Sequence, residues 1–580
     1  MKKEWILEDD RFVFTYEEPV SIQFTKQSGD QDLAIYRVAF KWEEQTHPKS
    51  ILLSYEFPDV DMYTMWDPIS PLRSIPLSDA TTTSRLAWGM PMKALVSHSH
   101  TNAHLLTLSD VKTPIALRMH TDCTHGTVHT NVEFFTSLTG PFRHYEAFLR
   151  IDRRRIRFDD AVQQAMAWFE QAGYRNTGIP DAATRPMYST WYSYLQHVSA
   201  ENVLRECENA AAYGMKTVIV DDGWQTENPD CVYGYCGDWK PSPRKFPDMK
   251  GFVDRIHALG MKVMLWYAVP FIGKYAENYA GFEGMYLRYA DNLHCGVLDP
   301  RYRKVREFLI DTYTQAVEQW GLDGLKLDFI DRFQTNGVVT AEMDTASVED
   351  AAEQLLKEIT TALKRINPEI LIEFRQPYFG PVIQSHANMI RVWDCPLDGA
   401  TNKTQSINLR LISESCAVHS DMIYWHRNEC PEQVALQLYG TMFAVPQISA
   451  RMEEITEQQA CVLKRYLEFW NDHRQTLLYG KLRVTCCENG YGTVQAETSE
   501  ENITMLSASP LLELNRTQAV HYIVNLTDRK QIFIKNPRMQ EIRCLAYDCM
   551  GQCIRSEEIR HDVLFEQAVP LGGMLVITPF

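Results

Sequence analysis

Two aspartates stand where the chain could carry out bond cleavage. Asp328 closes the run Gly324-Leu-Lys-Leu-Asp328, and Asp394 closes Met389-Ile-Arg-Val-Trp-Asp394. Each follows a short apolar run that reads as a buried strand about to end. Carboxylates at the exit ends of parallel barrel strands can act on a glycosidic bond, one as nucleophile and one as acid. In this reading Asp328 attacks and Asp394 protonates the leaving oxygen. Lys326 lies two residues before Asp328, so both side chains face the same way, and an ammonium there keeps the carboxylate ionised. A buried structural ion pair is the competing reading of Lys326. The Asp328 charge should push the Asp394 pKa up, keeping its proton available. Asp398, in Cys395-Pro-Leu-Asp398, is the second candidate acid. Its place before Gly399 also suits a helix or turn cap.

A further pair, Asp221-Asp222-Gly223-Trp224, ends another apolar run. Adjacent carboxylates can accept hydrogen bonds from vicinal sugar hydroxyls, and Trp224 can cover an apolar sugar face. An ordinary Asp-Gly turn is the alternative. Trp66, Trp266, Trp393 and Trp425 are candidate platforms, although a lone tryptophan is more often core packing. Trp66 reads as a loop residue within Asp61–Pro68. His120, His125 and His129 have spacings that put them on both faces of a strand, so they read as surface histidines and no metal site is expected. Cys231 and Cys236 read as free thiols.

The elements that must position these residues fall into three regions. Residues 1–170 read as a β-sandwich: Tyr36, Val38, Phe40 and Trp42 alternate with period two. Residues 180–478 alternate strand and helix. The strands read as Met187–Trp191, Thr217–Val220, Lys262–Trp266, Leu325–Asp328, Ile370–Phe374, Ala387–Trp393, Met422–Trp425 and Val445–Ile448. Ser199 is placed to cap the helix after the first, Ser347 to cap the one after the fourth, and Asp299-Pro300 to open the one after the third. Eight strands are what a (β/α)8 TIM barrel requires. A doubly wound sheet lacks its glycine-rich turn. Residues 479–580 return to short strands, with Asn489-Gly490 as a hairpin signal, and read as a C-terminal antiparallel β domain, a second sandwich. The predicted fold is therefore multidomain α/β plus β, a central barrel between two β domains.

Bulk properties exclude several functions. The 580 residues are 45% hydrophobic and 23% charged, so packed cores are expected. A net charge of −17 argues against nucleic acid and anionic membranes as partners. The amino terminus lacks the apolar stretch of a secretory signal, and no apolar run is long enough to span a bilayer. The 14 cysteines have no framework spacing, which fits reduced thiols and a cytoplasmic location. The Asn-x-Thr triplets at Asn402, Asn502, Asn515 and Asn525 then carry no glycosylation meaning.

The middle region resembles the family 36 glycoside hydrolases, the melibiase or α-galactosidase family. The motifs occur in the family's order: Val218-Ile-Val-Asp-Asp-Gly-Trp224, Gly237-Asp-Trp239, Lys245-Phe-Pro247, Ala258-Leu-Gly-Met-Lys262, Leu265-Trp266 and Gly324-Leu-Lys-Leu-Asp328. The resemblance implies a retaining exo-α-glycosidase, foremost an α-galactosidase, working by double displacement without a cofactor. It implies Asp328 as nucleophile and Asp394 as acid/base. Asp221 and Asp222 would bind the axial and primary hydroxyls of galactose. Lys326 would contact the sugar, Trp266 line its subsite, Arg391 stand near the acid/base, and Trp66 reach in from the sandwich. Three segments depart from the family pattern: Tyr267-Ala-Val-Pro270 after Trp266, Glu373-Phe-Arg-Gln-Pro-Tyr378, and Trp393-Asp-Cys-Pro-Leu-Asp398. Arg375 and Tyr378 would alter the fit at the sugar 2-position. An α-N-acetylgalactosaminidase, a transglycosidase and a non-catalytic sugar-binding protein are the alternatives. The expected partner is a small oligosaccharide or glycoside, with homo-oligomer formation left open.

Overall fold

The computed structural model describes residues 1–579 except 9, 70–72, 75–79, 175–177, 229–231, 414, 486, 515–519 and 540. Cys231 and Asn515 lie outside the described residues. The amino-terminal region stacks a six-stranded sheet on a seven-stranded one. Tyr36, Val38, Phe40 and Trp42 point inward from the strand Leu33–Thr46, as their alternation predicts. They join Phe12, Phe14 and Phe24 in an aromatic core. The sequence reading missed the helix Phe158–Gln171 at the end of this region. Its buried Asp159 pairs with Arg157 and Arg483 and accepts from the Val484 amide, which ties the helix to the carboxy-terminal domain.

The eight barrel strands are Met187–Ser189, Thr217–Val220, Lys262–Ala268, Gly324–Asp328, Leu371–Arg375, Met389–Arg391, Ala417–His419 and Gln447–Ile448. They pair in parallel in chain order, and the first pairs with the eighth. Parallel bridges His419↔Val445 and Ile423↔Ile448 join the seventh to the eighth and nearly close the ring. The seventh strand corrects the expectation at Met422–Trp425. That segment is more apolar, but it forms the loop beyond the strand. Burial on both sides allowed the short Ala-Val-His stretch to serve instead. Between the third and fourth strands, Phe271–Gly273, Tyr286–Ala290 and Cys295–Leu298 form an antiparallel sheet that the sequence reading did not identify.

Helices cover the barrel as their caps predict at two points. The Ser199 side chain accepts from the Asn202 amide, and the Ser347 side chain accepts from the Asp350 amide. The third helix starts at Arg303 rather than at Pro300. Asp299 instead grips the buried Arg301 guanidinium. The carboxy-terminal domain has a seven- and a three-stranded sheet, and Lys481–Thr485 and Thr493–Glu497 flank Asn489-Gly490 as an antiparallel pair. Two of its pairings are parallel, which the sequence reading did not anticipate.

Trp66 is a correction. It lies on the strand Thr64–Trp66, almost fully buried, and not on an exposed loop. Its indole N–H donates to Asn408 Oδ1 (3.1 Å) and to the Tyr491 hydroxyl (2.8 Å). Its ring packs edge-on against Phe158. Trp66 therefore joins the sandwich, a barrel helix and the carboxy-terminal domain. Trp66→Phe keeps most of the apolar contact but leaves buried acceptors short of a donor, at a cost of about 1–3 kcal/mol. The expected outcome is a lower urea midpoint with an unchanged KM for substrate. A raised KM would return Trp66 to the site.

Candidate active site

Asp328, the last residue of the fourth strand, faces the barrel mouth and is nearly buried. Its two oxygens are treated unequally. Oδ1 accepts from Arg375 Nε (2.9 Å), the Phe329 amide (2.7 Å) and the Tyr378 hydroxyl. Oδ2 accepts from Trp266 Nε1 (3.0 Å). The Phe329 amide is turned back onto the carboxylate by left-handed backbone (φ 65°), a conformation uncommon for a bulky residue. Burial would raise the Asp328 pKa. The Arg375 and Lys326 charges, with the Tyr378 and Trp266 hydrogen bonds, overcome it and hold the carboxyl well below its usual range.

Lys326 makes its direct ion pair with Asp221 (2.5 Å), not with Asp328. The lysine is therefore shared: it touches one carboxylate and lowers the other through space. The Asp221 amide is fixed by Thr190 Oγ1 (3.0 Å). Asp222 accepts from Gln196 Nε2 on one oxygen and Gln225 Nε2 on the other. Burial pushes its pKa up to about 6. Gly223 (φ 111°) makes this possible: a Cβ there would meet Gln196 Cα at 2.5 Å. Trp224 is a second correction. It is fully buried behind the second strand, donates to the Trp266 carbonyl (2.9 Å) and packs among Trp239, Tyr267 and Trp320. It cannot cover a sugar. Trp266 does reach the site through its indole.

Asp394 lies just past the sixth strand, at the same mouth, with its side chain 45% accessible. Arg391 Nη2 donates to its Oδ1 at 2.8 Å. The pKa expectation fails here. Burial and the Asp328 charge would raise it, but the Arg391, Arg375 and Lys326 cations bring it below the usual carboxylate range. Asp398 serves as the cap of the helix Gly399–Ile412, accepting from the Thr401 amide (3.0 Å) and hydroxyl (2.6 Å). Between Asp328 and Asp394, the fifth strand supplies Arg375, whose guanidinium also lies over the Phe329 and Tyr378 rings. Arg375 and Tyr378 thus grip Asp328, where the sequence reading placed them at the sugar 2-position.

Beneath Asp394 lies a network that the sequence reading largely missed. Fully buried Arg391 pairs through Nη1 with Asp421, and its Nε is 3.7 Å from Glu373. Asp421 Oδ2 also accepts from the Tyr192 hydroxyl (2.9 Å) and the Cys395 amide (2.7 Å). Burial raises the pKa of both Asp421 and Glu373. Gln447 Nε2 bridges Glu373 and His419 Nδ1. His419 Nε2 donates to the Ala183 carbonyl, and burial holds this imidazole neutral with a pKa of about 3. Asp421 obeys the rule that revealed Asp328, a carboxylate just past a strand end. It escaped because the seventh strand was placed too late.

Among the described residues no group of three or more His, Cys, Asp and Glu side chains could hold a metal ion, and no helix is long and apolar enough to cross a membrane. His120 and His129 stack as cross-strand neighbours on one face, not on opposite faces as the spacing suggested, because a turn separates them.

The Melibiase family model matches residues 181–375. Alpha-galactosidase 2 of Pediococcus pentosaceus is 31% identical over 206 residues, which is 34% of this chain and 28% of that protein. The A type blood alpha-D-galactosamine galactosaminidase of Flavonifractor plautii is 25% identical over 170 residues, 26% of this chain and 15% of that one. The chain thus spans less than a third of the length of these curated relatives. Among solved structures, the GH36 alpha-galactosidase AgaA of Geobacillus stearothermophilus superposes with a TM-score of 0.65 at 14% identity, covering 100% of this chain and 84% of its own. That likeness extends the shared fold to both flanking β domains. The matched segment holds Asp221, Asp222, Trp266, Lys326 and Asp328 in the arrangement described above, and over that segment the chain is similar to the melibiase family.

Proposed function

We propose that the protein is a retaining exo-α-glycosidase that hydrolyses terminal α-galactosides by double displacement. The observation that carries this reading is the pair Asp328 and Asp394 at one barrel mouth, on strands separated by the strand of Arg375, with charges that perturb each other. Asp328 is held ionised, as a nucleophile must be. Its Oδ2, with a single indole donor, is the oxygen free to attack the anomeric carbon. Asp394, the more accessible acid, protonates the leaving oxygen and then activates water against the glycosyl ester. Asp398 is engaged as a cap, which favours Asp394 for this role. Asp221, Asp222 and Lys326 form the polar floor on which sugar hydroxyls would bind. Doubly substituted variants of the neighbour AgaA were solved in complex with raffinose and stachyose, which supports an oligosaccharide substrate. The relative named a galactosaminidase makes an α-galactosaminide the second sugar to assay.

Two measurements test this reading. Asp394→Ala should lose about 10²–10⁴-fold on aryl α-galactosides, less on α-galactosyl fluoride, whose departure needs little acid help. Added azide should intercept the intermediate as α-galactosyl azide. By NMR the wild-type enzyme should release α-galactose first; β-galactose first would refute retention. No turnover of galactosides or N-acetylgalactosaminides by the folded protein would leave sugar binding alone.

The pH profile provides the second test. The acid must carry a proton, and a lowered Asp394 pKa means that proton is lost at lower pH. Activity should therefore decline on the acidic side of neutrality. Arg375 lowers both carboxyls, so Arg375→Met should shift both limbs of the kcat/KM profile to higher pH. Unmoved limbs would mean that neither carboxyl sets them.

A further inference from the structure

Gln376 directly follows the fifth strand, the strand that separates the two candidate acids. It is wholly buried, and every polar group it carries is engaged. Its amide donates to the Arg391 carbonyl (2.9 Å), and its carbonyl accepts from Arg375 Nη1 (2.8 Å). Its side-chain Oε1 accepts from the Trp393 amide (3.3 Å), and its Nε2 donates to Gln405 Oε1 (2.9 Å). One residue thus touches the arginine that grips Asp328, the backbone of the arginine that holds Asp394, and the peptide just before Asp394. On the other side of Asp394, the Cys395 amide donates to Asp421 (2.7 Å). The Asp394 backbone is therefore fixed from both sides, by Gln376 before it and by Asp421 after it.

We propose that Gln376 is a positioning residue: it sets the loop carrying Asp394 at its working distance from Asp328. The inference rests on the reading of Asp394 as the acid. The side-chain amide of Gln376 has one orientation open to it. Gln405 Nε2 is committed to the Ile69 carbonyl (3.1 Å), which turns Gln405 Oε1 toward Gln376, and that oxygen also accepts from Asn408 Nδ2 (3.4 Å). Gln376 must then donate to Gln405 and present its own oxygen to the Trp393 amide. Gln405 and Asn408 stand three residues apart, on one face of the helix Gly399–Ile412. Asn408 Oδ1 in turn accepts from the Trp66 indole and the Tyr491 hydroxyl. A line of hydrogen bonds therefore runs from the acid loop, through buried side chains, to both flanking β domains. A buried amide in such a line has no water to replace a lost partner, so the line holds one geometry. Precision of this kind matters to an acid, since a displacement of about 1 Å can cost about 100-fold in rate.

The test compares two leaving groups. Phenyl α-galactoside needs a proton on its departing oxygen, and α-galactosyl fluoride needs little acid help. Gln376→Met keeps the side-chain volume but leaves the Trp393 amide without its acceptor. For this variant the ratio of kcat/KM on the phenyl galactoside to that on the fluoride should fall about tenfold. Gln376→Glu, which keeps an acceptor for the Trp393 amide, should restore most of the ratio. In the Asp394→Ala background Gln376→Met should lower the ratio no further, because a residue that acts through Asp394 then has nothing left to position. Thermal melting checks that each variant is folded; if Gln376→Met is not, Gln405→Met, one hydrogen bond further from the acid loop, goes through the same cycle. An unchanged ratio, an equal fall on both substrates, or a full further loss in the Asp394→Ala background overturns the positioning role and leaves the glycosidase reading standing. If Asp394→Ala itself leaves the ratio unchanged, Asp394 is not the acid and both readings fall.

Discussion

A guanidinium taken wholly out of water must be surrounded by anions, and at Arg391 that requirement organises the site. Three carboxylates from three strands or strand exits converge on it: Asp394, Asp421 and Glu373. Removing any one would leave buried charge uncompensated. The arrangement locks the ends of the fifth, sixth and seventh strands in register and sets the direction in which Asp394 can point. It also brings the Asp394 pKa down, so the candidate acid is held in place by a group that opposes its protonation. Position and proton affinity are in tension at this residue.

Asp328 resolves a similar tension differently. A buried carboxylate would ordinarily take up a proton, yet four donors and the nearby Lys326 keep it charged. Three of those donors share Oδ1. The carboxylate is thereby oriented as well as ionised, with three donors on one oxygen and the Trp266 indole on the other. Arg375 links the two acids electrostatically, since its charge lowers both. Asp221 engages Lys326, so the lysine neutralises the floor while still acting on Asp328.

The flanking domains contribute by packing. Trp66 and Asp159 connect the amino-terminal region to the barrel and to the last domain through buried hydrogen bonds. Such bonds are costly to break without replacement, so the three regions hold one another in place. Trp224 plays a comparable part inside the barrel wall, filling space behind the strand that carries Trp266.

The sequence by itself determined the architecture and the two carboxylates at strand exits. Strand periodicity, capping serines and carboxylates at strand exits depend on neighbours within a few residues, so they were legible at Ser199, Ser347, Asp328 and Asp394. The misplaced seventh strand shows the limit. Ala417–His419 is too short to outscore the apolar Met422–Trp425, and only closure of the barrel selects it. Tertiary structure alone decided that Trp66 and Trp224 are core, that Lys326 pairs with Asp221, that Arg375 grips Asp328, and that Asp421 and Glu373 surround Arg391. Each of these depends on which distant side chains share a small volume. A charge's partner and its proton affinity are set by distance and burial, and neither is written in the local sequence.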